Sequence, residues 1–405
     1  MSLRDQLERE AARASAAVPL LADDAVTAAL ERAARLVGER RTAIAAANAA
    51  DVQAAAGLDP GSLDRLRLDA ARIEALAAEL AQLAALPPLD REEESRRLEN
   101  GLHVSVRRIP IGAVGANFEA RPNVALDVAG QLLKSLNAAV LRTGGAALRT
   151  VTVLVDEILR PALEESGLPP AAVGLARSPD REGARILVSL PRVLPLVILR
   201  GSGETTATLA REAAANGVRT LAHAEGGGVL YVGAAADAAM AEALVAASLD
   251  RLGVCNRLNV LLVDAGAEHL LPRLRAVLDR LDVDVREPPR LGHEWANDHD
   301  RIASVTLRRV ESLDAAVELA NRETSGLAAG IVTEDAEAAA RFLDTYRGTA
   351  AFWNATTRFT DGFALTGSPE TGINVDRFPG PRGPVTYRDL YLRQYRVVGD
   401  GTQSR

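Results

Sequence analysis

Over roughly the first 86 residues, apolar positions recur every three or four places among Ala, Leu, Glu and Arg, which predicts a layer of amphipathic helices stopped by "LPP" at 86 to 88. From Leu102 to Ile109 the pattern switches to alternation, and a more fully apolar stretch then ends near Asn117; both read as strands. Thereafter the two periods take turns. Helices are expected from about Val124 to Leu136, Ala147 to Glu165, Arg181 to Ser189 and Glu204 to Asn216, separated by strands over "AAVLRT", "AVGLAR" and "VLPLVILR". Such alternation builds βαβ units, so the chain predicts an α/β fold with a parallel sheet covered on both faces. The last stretch, "GPRGPVTYRDLYLRQYRVVGDG", ends in alternating residues that suit an edge strand pairing with another element or subunit.

Composition removes several classes of function. At 405 residues and 48% hydrophobic content, the chain can bury a large core and form two or three domains. It has no apolar run long enough to span a bilayer, and "MSLRDQLEREAARAS" is charged where a leader would be apolar, so a cytoplasmic protein without membrane attachment is expected. Cys255 is the sole cysteine, which excludes an internal disulfide. Histidines at 103, 223, 269, 293 and 299 show no metal-ligand spacing with it or with each other, so no metal is expected. A net charge of -7 and 3% aromatic content offer neither a phosphate-tracking surface nor base-stacking platforms, so no nucleic-acid partner is expected.

Three junctions carry candidate chemistry. In "VILRGSGETTATLAREAA" an apolar strand meets a helix through Gly201, Ser202 and Gly203, where bare backbone N–H groups at a helix N-terminus suit a pyrophosphate; a plain connecting turn reads the same way. In "FEARPNVALDVAG" a strand runs into Glu119, Arg121 and Asn123, at the sheet edge where ligands of open α/β folds bind; the alternative is helix capping by Asn123 with Arg121 solvated. In "LDRLGVCNRLNVLLVD" the thiol of Cys255 sits in a tight turn before an apolar run. It is either a small buried hydrophobe or a nucleophile toward acyl groups, with His223 upstream as a candidate acid or base.

"GANFEARPNVALDVAGQLLKSLNAAVLRTGG", "LRGSGE", "GVCN", "IVTEDAEAAARFL" and "NATTRFTDG" occur in the order and near the spacing of the γ-glutamyl phosphate reductase family, a branch of the aldehyde dehydrogenase superfamily, which the chain resembles from about residue 10 to 401. The resemblance implies an aldehyde dehydrogenase-like fold: N-terminal helices and a Rossmann-like cofactor domain over 1–222, with a strand at 95–110 serving oligomerisation, an α/β catalytic domain over 223–362, and a C-terminal segment with an oligomerisation strand over 363–405. It implies a homo-oligomer that uses NADPH, without metal, to reduce L-glutamyl 5-phosphate to L-glutamate 5-semialdehyde for proline biosynthesis, the acyl phosphate coming from a glutamate 5-kinase. On this family Cys255 is the nucleophile that forms a thioester, Asn256 positions its turn, and His223 transfers a proton. Arg142, Gly144, Gly201, Ser202 and Gly203 match the cofactor side, and Glu119, Arg121, Asn123, Arg358, Thr360 and Asp361 the substrate side.

Several charged family positions are lost: Ala146, Ala222, Asn259, Leu327 and Ala329 stand where members commonly carry an acid, a lysine, a glutamate, a histidine and a glutamate. These losses favour an alternative, a paralogue with the same cysteine and cofactor chemistry on another acyl phosphate or aldehyde in specialised metabolism. A catalytically silent scaffold is a third reading, opposed by retention of Cys255 with its whole motif.

Overall fold

The computed structural model describes residues 2–201, 203–223, 226–298, 302–376 and 380–403. The chain forms two compact units. The first comprises Met1–Ala222, Ser368–Gly372 and Val385–Arg405, and the second His223–Gly367 and Ile373–Pro384.

The first unit opens with helices Leu3–Ala17, Asp23–Glu39, Arg41–Ala54, Pro60–Leu66 and Ala70–Ala85. Ser2, Asp59 and Asp69 accept from backbone N–H groups at three of their starts, relieving donors that a helix leaves orphaned. Leu30, Leu36, Leu76, Leu80 and Leu83 enter one core with the sheet that follows. The last of these helices ends at Leu86, extended as expected of a residue before proline.

Seven strands follow: β1 (Glu92–Arg97), β2 (His103–Ile109), β3 (Ala113–Phe118), β4 (Ala138–Thr143), β5 (Val173–Leu175), β6 (Leu196–Arg200) and β7 (Arg219–His223). Five make a sheet in the order β5-β4-β3-β6-β7, in which β3 runs parallel to both neighbours. Every residue of β3 and β4 is buried, which is why they read as continuous apolar runs rather than alternation. β2 pairs antiparallel with β1 on one side and with the C-terminal strand Leu392–Val398 on the other. β1, "EEESRR", is exposed along its length and carries no apolar alternation to betray it.

One expected helix is not continuous. Between Ala147 and Glu165 the chain forms a short α-helix Leu148–Val153, a π-helical segment Leu154–Leu159 and a final α-helix Arg160–Glu165. Pro161 supplies the reason: it donates no N–H and its ring crowds the carbonyl four residues back, so the preceding turn widens. The C-terminal segments are tied to this unit by buried Gln131, whose Nε2 donates to the Pro369 carbonyl at 2.6 Å and whose Oε1 accepts from the Tyr387 N–H at 2.6 Å.

The second unit is built on β8 (Gly228–Val232), β9 (Leu258–Asp264), β10 (Asp284–Val285), β11 (Ser304–Val310), β12 (Ala328–Val332) and β13 (Ala350–Trp353), ordered β10-β11-β9-β8-β12-β13. All of these pairings are parallel. Helices Ala238–Ala247 and Leu271–Arg280 bury Ala241, Val245, Leu274 and Leu278 with one set of strand residues. Helices Leu313–Glu323 and Ala336–Thr345 bury Ala316, Ala320, Ala339 and Phe342 with the alternate set. Each unit is therefore a parallel sheet between helical layers, with its loops gathered at the strand ends. Among the described residues, no helix is long and apolar enough to cross a membrane.

Candidate active site

Cys255 lies in the turn that leads into β9. Gly253 opens that turn at φ 81°, a left-handed conformation that a side chain would strain. The thiol is half-buried and packs at the margin of an apolar cluster formed by Leu327, Ala328 and Ile373, with Ala350, Phe352 and Val375. Leu327, one of the positions where a family charge is lost, is thus part of the wall beside the cysteine. Ala329 belongs to the opposite core, with Tyr231 and Phe342.

The next residue fastens the turn. Asn256 donates through Nδ2 to the carbonyls of Arg358 at 2.9 Å and Thr360 at 3.0 Å, while its own carbonyl accepts from the Thr357 hydroxyl at 2.9 Å. Arg358 returns a hydrogen bond to Asn256 Oδ1 and donates to Asp250 Oδ1 at 2.7 Å. Thr360 is fully buried, and its hydroxyl has no hydrogen-bond partner among the described residues. Asp361 caps the short helix Gly362–Thr366 by accepting from the Ala364 N–H at 3.3 Å. Cys255, Asn256, Arg358, Thr360 and Asp361 are therefore one constellation, assembled from segments about a hundred residues apart.

The glycine run before β8 crosses this turn at close quarters. Gly227 donates to the Cys255 carbonyl at 2.6 Å and Gly228 to the Arg257 carbonyl at 2.7 Å. A Cβ on Gly226 would stand 2.7 Å from Cys255 Cβ and 2.5 Å from Glu294 Oε1, and one on Gly228 would stand 2.4 Å from Thr357 Oγ1. Glu294 is a residue that sequence reasoning missed. Its Oε2 accepts from the Gly226 N–H at 2.8 Å. Asn259 holds the backbone on both sides of it, donating to the His293 carbonyl at 2.6 Å and accepting from the Trp295 N–H at 2.9 Å. No spacing in the chain relates positions 226, 259 and 294 to position 255.

In the first unit, β3, β4 and β6 bring their C-terminal ends to one edge. Glu119 lies beside the turn after β6: a Cβ on Gly201 would meet Glu119 Cδ at 3.6 Å and Thr206 Oγ1 at 3.4 Å, ordinary contacts. A Cβ on Gly144 would meet nothing within 4 Å. Gly203 opens helix Gly203–Ala215. Ser202 and the side chain of His223 lie outside the described residues, although the His223 backbone closes β7. Arg142 is buried, donating to Asn117 Oδ1 at 3.1 Å and to the carbonyls of Pro179 and Asp180 at 3.3 and 2.9 Å. Its Nε has no partner among the described residues, and burial pulls its pKa down against the opposing pull of Glu119 and Asp180. Open main chain at Gly144, a glycine turn and a helix N-terminus fit a dinucleotide's pyrophosphate, whereas the Arg142 guanidinium is already engaged.

The loop of Arg121 and Asn123 continues this edge. Ala120 takes φ 44°, and both side chains are half-buried. Asn123 precedes helix Val124–Lys134 but makes no side-chain cap; its Nδ2 donates to Asp127 Oδ2 at 3.0 Å. Asp127 has the Glu79 carboxyl as an electrostatic neighbour. Burial, then Glu79, pushes its carboxyl up to about 7, with Arg200 opposing and Glu370 adding to the rise. Among the described residues, no group of three or more His, Cys, Asp and Glu is placed to hold a metal ion.

A fold of two parallel sheets, one edge suited to a dinucleotide and one turn presenting a cysteine, places this chain in a class: it belongs to the aldehyde dehydrogenase family, whose model matches residues 5–291 and 304–387. Within that family it is 36% identical to a γ-glutamyl phosphate reductase of Methylocella silvestris, over 99% of this chain and 96% of the relative. It is 38% identical to one from Clavibacter michiganensis subsp. michiganensis, over 98% and 95%. The crystal structure of γ-glutamyl phosphate reductase from Thermotoga maritima superposes with a TM-score of 0.90 at 28% identity, covering 99% of this chain and 100% of that one.

Proposed function

We propose that the chain is an NADPH-dependent reductase of L-glutamyl 5-phosphate that releases L-glutamate 5-semialdehyde, serving proline synthesis, with Cys255 as nucleophile. The observation that carries this reading is the sole cysteine, half-buried in a turn stapled by Asn256 to the Arg358–Asp361 loop, in a chain so similar to proteins of that name. Sulfur attacks the acyl carbon and phosphate departs, leaving a thioester on Cys255. When bound, the reduced nicotinamide supplies the hydride that reduces this thioester. The resulting thiohemiacetal collapses to the aldehyde and frees the thiol, with His223 as the candidate proton carrier at its oxygen. Asn256 keeps the turn in register. In the second unit the Thr360 hydroxyl, Arg358 and Asp361 are the candidate polar groups for the acyl phosphate; in the first, Glu119, Arg121 and Asn123 are the candidate substrate-side groups.

On the nucleotide side, Gly144, Gly201, Ser202 and Gly203 offer main chain to the pyrophosphate. Arg142 contributes positive charge from a fixed position, and with the missing acid at Ala146 this favours NADPH over NADH. β1 and the C-terminal strand, exposed and carrying Leu392, Tyr395, Val397 and Val398 on the outside, form the surface on which copies of the chain assemble.

A second reading is favoured by Leu327, an apolar side chain beside Cys255 where the family carries a histidine: the same chemistry on a less polar acyl phosphate. One assay separates the two. NADPH oxidation is followed with glutamyl phosphate made in place by a glutamate 5-kinase, beside a panel of apolar acyl phosphates and the reverse reaction on semialdehydes. Turnover on the glutamyl substrate is expected to dominate; turnover only on the apolar panel transfers the assignment to the second reading.

A further inference from the structure

Glu294 stands against the cysteine across a single glycine. One of its carboxylate oxygens accepts from the Gly226 N–H at 2.8 Å, and the other lies, like Cys255 Cβ, within 2.7 Å of the point a Gly226 Cβ would occupy. Only a residue without a side chain leaves room at that point for both the carboxylate and the Cys255 side chain. The segment that carries Glu294 is also firmly seated. Trp295 donates through Nε1 to Thr306 Oγ1 at 2.9 Å, and His293 packs edge-on to it with centroids 4.3 Å apart. Asn259 grips the main chain before and after Glu294, as described above, and a Cβ on Gly227 would stand 2.9 Å from Asn259 Cβ. The buried glycine run and the amide at 259 therefore fit one another.

We propose that the Glu294 carboxylate is the proton acceptor for the Cys255 thiol during thioester formation, and that Asn259 is the positioning residue that sets it there. The proposal rests on the acyl phosphate reading given above. As sulfur bonds to the acyl carbon, the S–H proton moves to a Glu294 oxygen and the bond from acyl carbon to phosphate oxygen breaks. The proton then passes to the departing phosphate, so the half-reaction yields thioester and hydrogen phosphate and restores the carboxylate. Nothing is oxidised or reduced in this half. Among the described residues, Arg358 is engaged with Asp250 and Asn256, Arg257 with the Ser304 carbonyl, Arg286 with the Ser304 hydroxyl and the Trp295 ring, and His293 with Asp298.

A carboxylate beside a thiol has two effects of opposite sign. It disfavours the thiolate at rest, and it speeds attack by taking the proton. Because Cys255 is the sole cysteine, alkylation by iodoacetamide reads its ionisation directly, without substrate or cofactor. In Glu294→Gln the midpoint of alkylation against pH is expected to fall by at least about half a unit. Single-turnover phosphate release from the acyl phosphate, measured without NADPH, is expected to slow at least about tenfold. Asn259→Ala shifts both readouts the same way by less, and Glu294→Asp, which keeps the charge, keeps the alkylation midpoint nearer wild type. An unchanged or raised midpoint in a folded Glu294→Gln overturns the proposal, as does unchanged phosphate release. A wild type that releases phosphate from no acyl phosphate overturns the functional reading instead, and the alkylation profile still decides whether Glu294 faces the thiol.

Discussion

Asn256 and Arg358 hold each other in both directions: the amide donates to the Arg358 carbonyl at 2.9 Å, and the guanidinium donates to the amide oxygen. The cysteine turn and the "TTRFTD" loop are thereby one rigid piece, and the guanidinium is divided between this task and Asp250. Lysine cannot reproduce a planar fork that reaches two acceptors. Arg358→Lys is expected to raise the KM for the acyl phosphate several-fold with little change in NADPH affinity. Asn256→Ala, which removes the donor shared by a part-buried and a buried carbonyl, should cost about 1–3 kcal/mol of stability in denaturant titration and lower kcat.

Replacing the sulfur tests the nucleophile. Cys255→Ser keeps the size of a half-buried side chain at the margin of the Leu327 cluster, so folding and nucleotide binding are expected to persist. A hydroxyl is far less ionised than a thiol, and turnover should fall by roughly three orders of magnitude or more in steady-state assay.

At the nucleotide edge, the contacts awaiting a Cβ on Gly201 are ordinary ones, so the fold tolerates a small side chain there. A branched one covers the main chain that a pyrophosphate needs. Gly201→Val is expected to weaken NADPH binding at least about tenfold, or ~1.4 kcal/mol, in fluorescence titration, while iodoacetamide still labels Cys255 at the wild-type rate.

Asp127 links acid to stability. Its carboxyl is ordinary at 3.8 in the unfolded chain and pushed up to about 7 in the folded one, chiefly by burial, so the folded state holds a proton that the unfolded state has lost. This group's contribution therefore declines as pH rises between those values and is level above them. Asp127→Asn removes the titration. Relative to wild type it is expected to gain on the order of 2 kcal/mol between about pH 4 and pH 8, read as a widening gap in melting temperature by calorimetry.

Much of this architecture was legible in the chain because local patterns carry it. Continuous apolar runs at β3, β4, β6 and β9 can only be buried on both faces, and proline and glycine punctuate the helices between them. The candidate nucleophile was legible too, since a lone thiol in "GVCN" stands out by residue type alone. Three other features left no signal in the hydrophobic pattern. The exposed strand "EEESRR" owes its conformation to β2 beside it rather than to any alternation of its own. The π-helical turn ahead of Pro161 answers a missing donor within an otherwise regular helical pattern. Glu294 acquires its place only because Gly226 lacks a side chain and Asn259 pins the backbone on either side, contacts between positions that no period along the chain connects. Sequence periodicity reports which face of an element is buried; which charges meet across a loop is decided by packing in three dimensions.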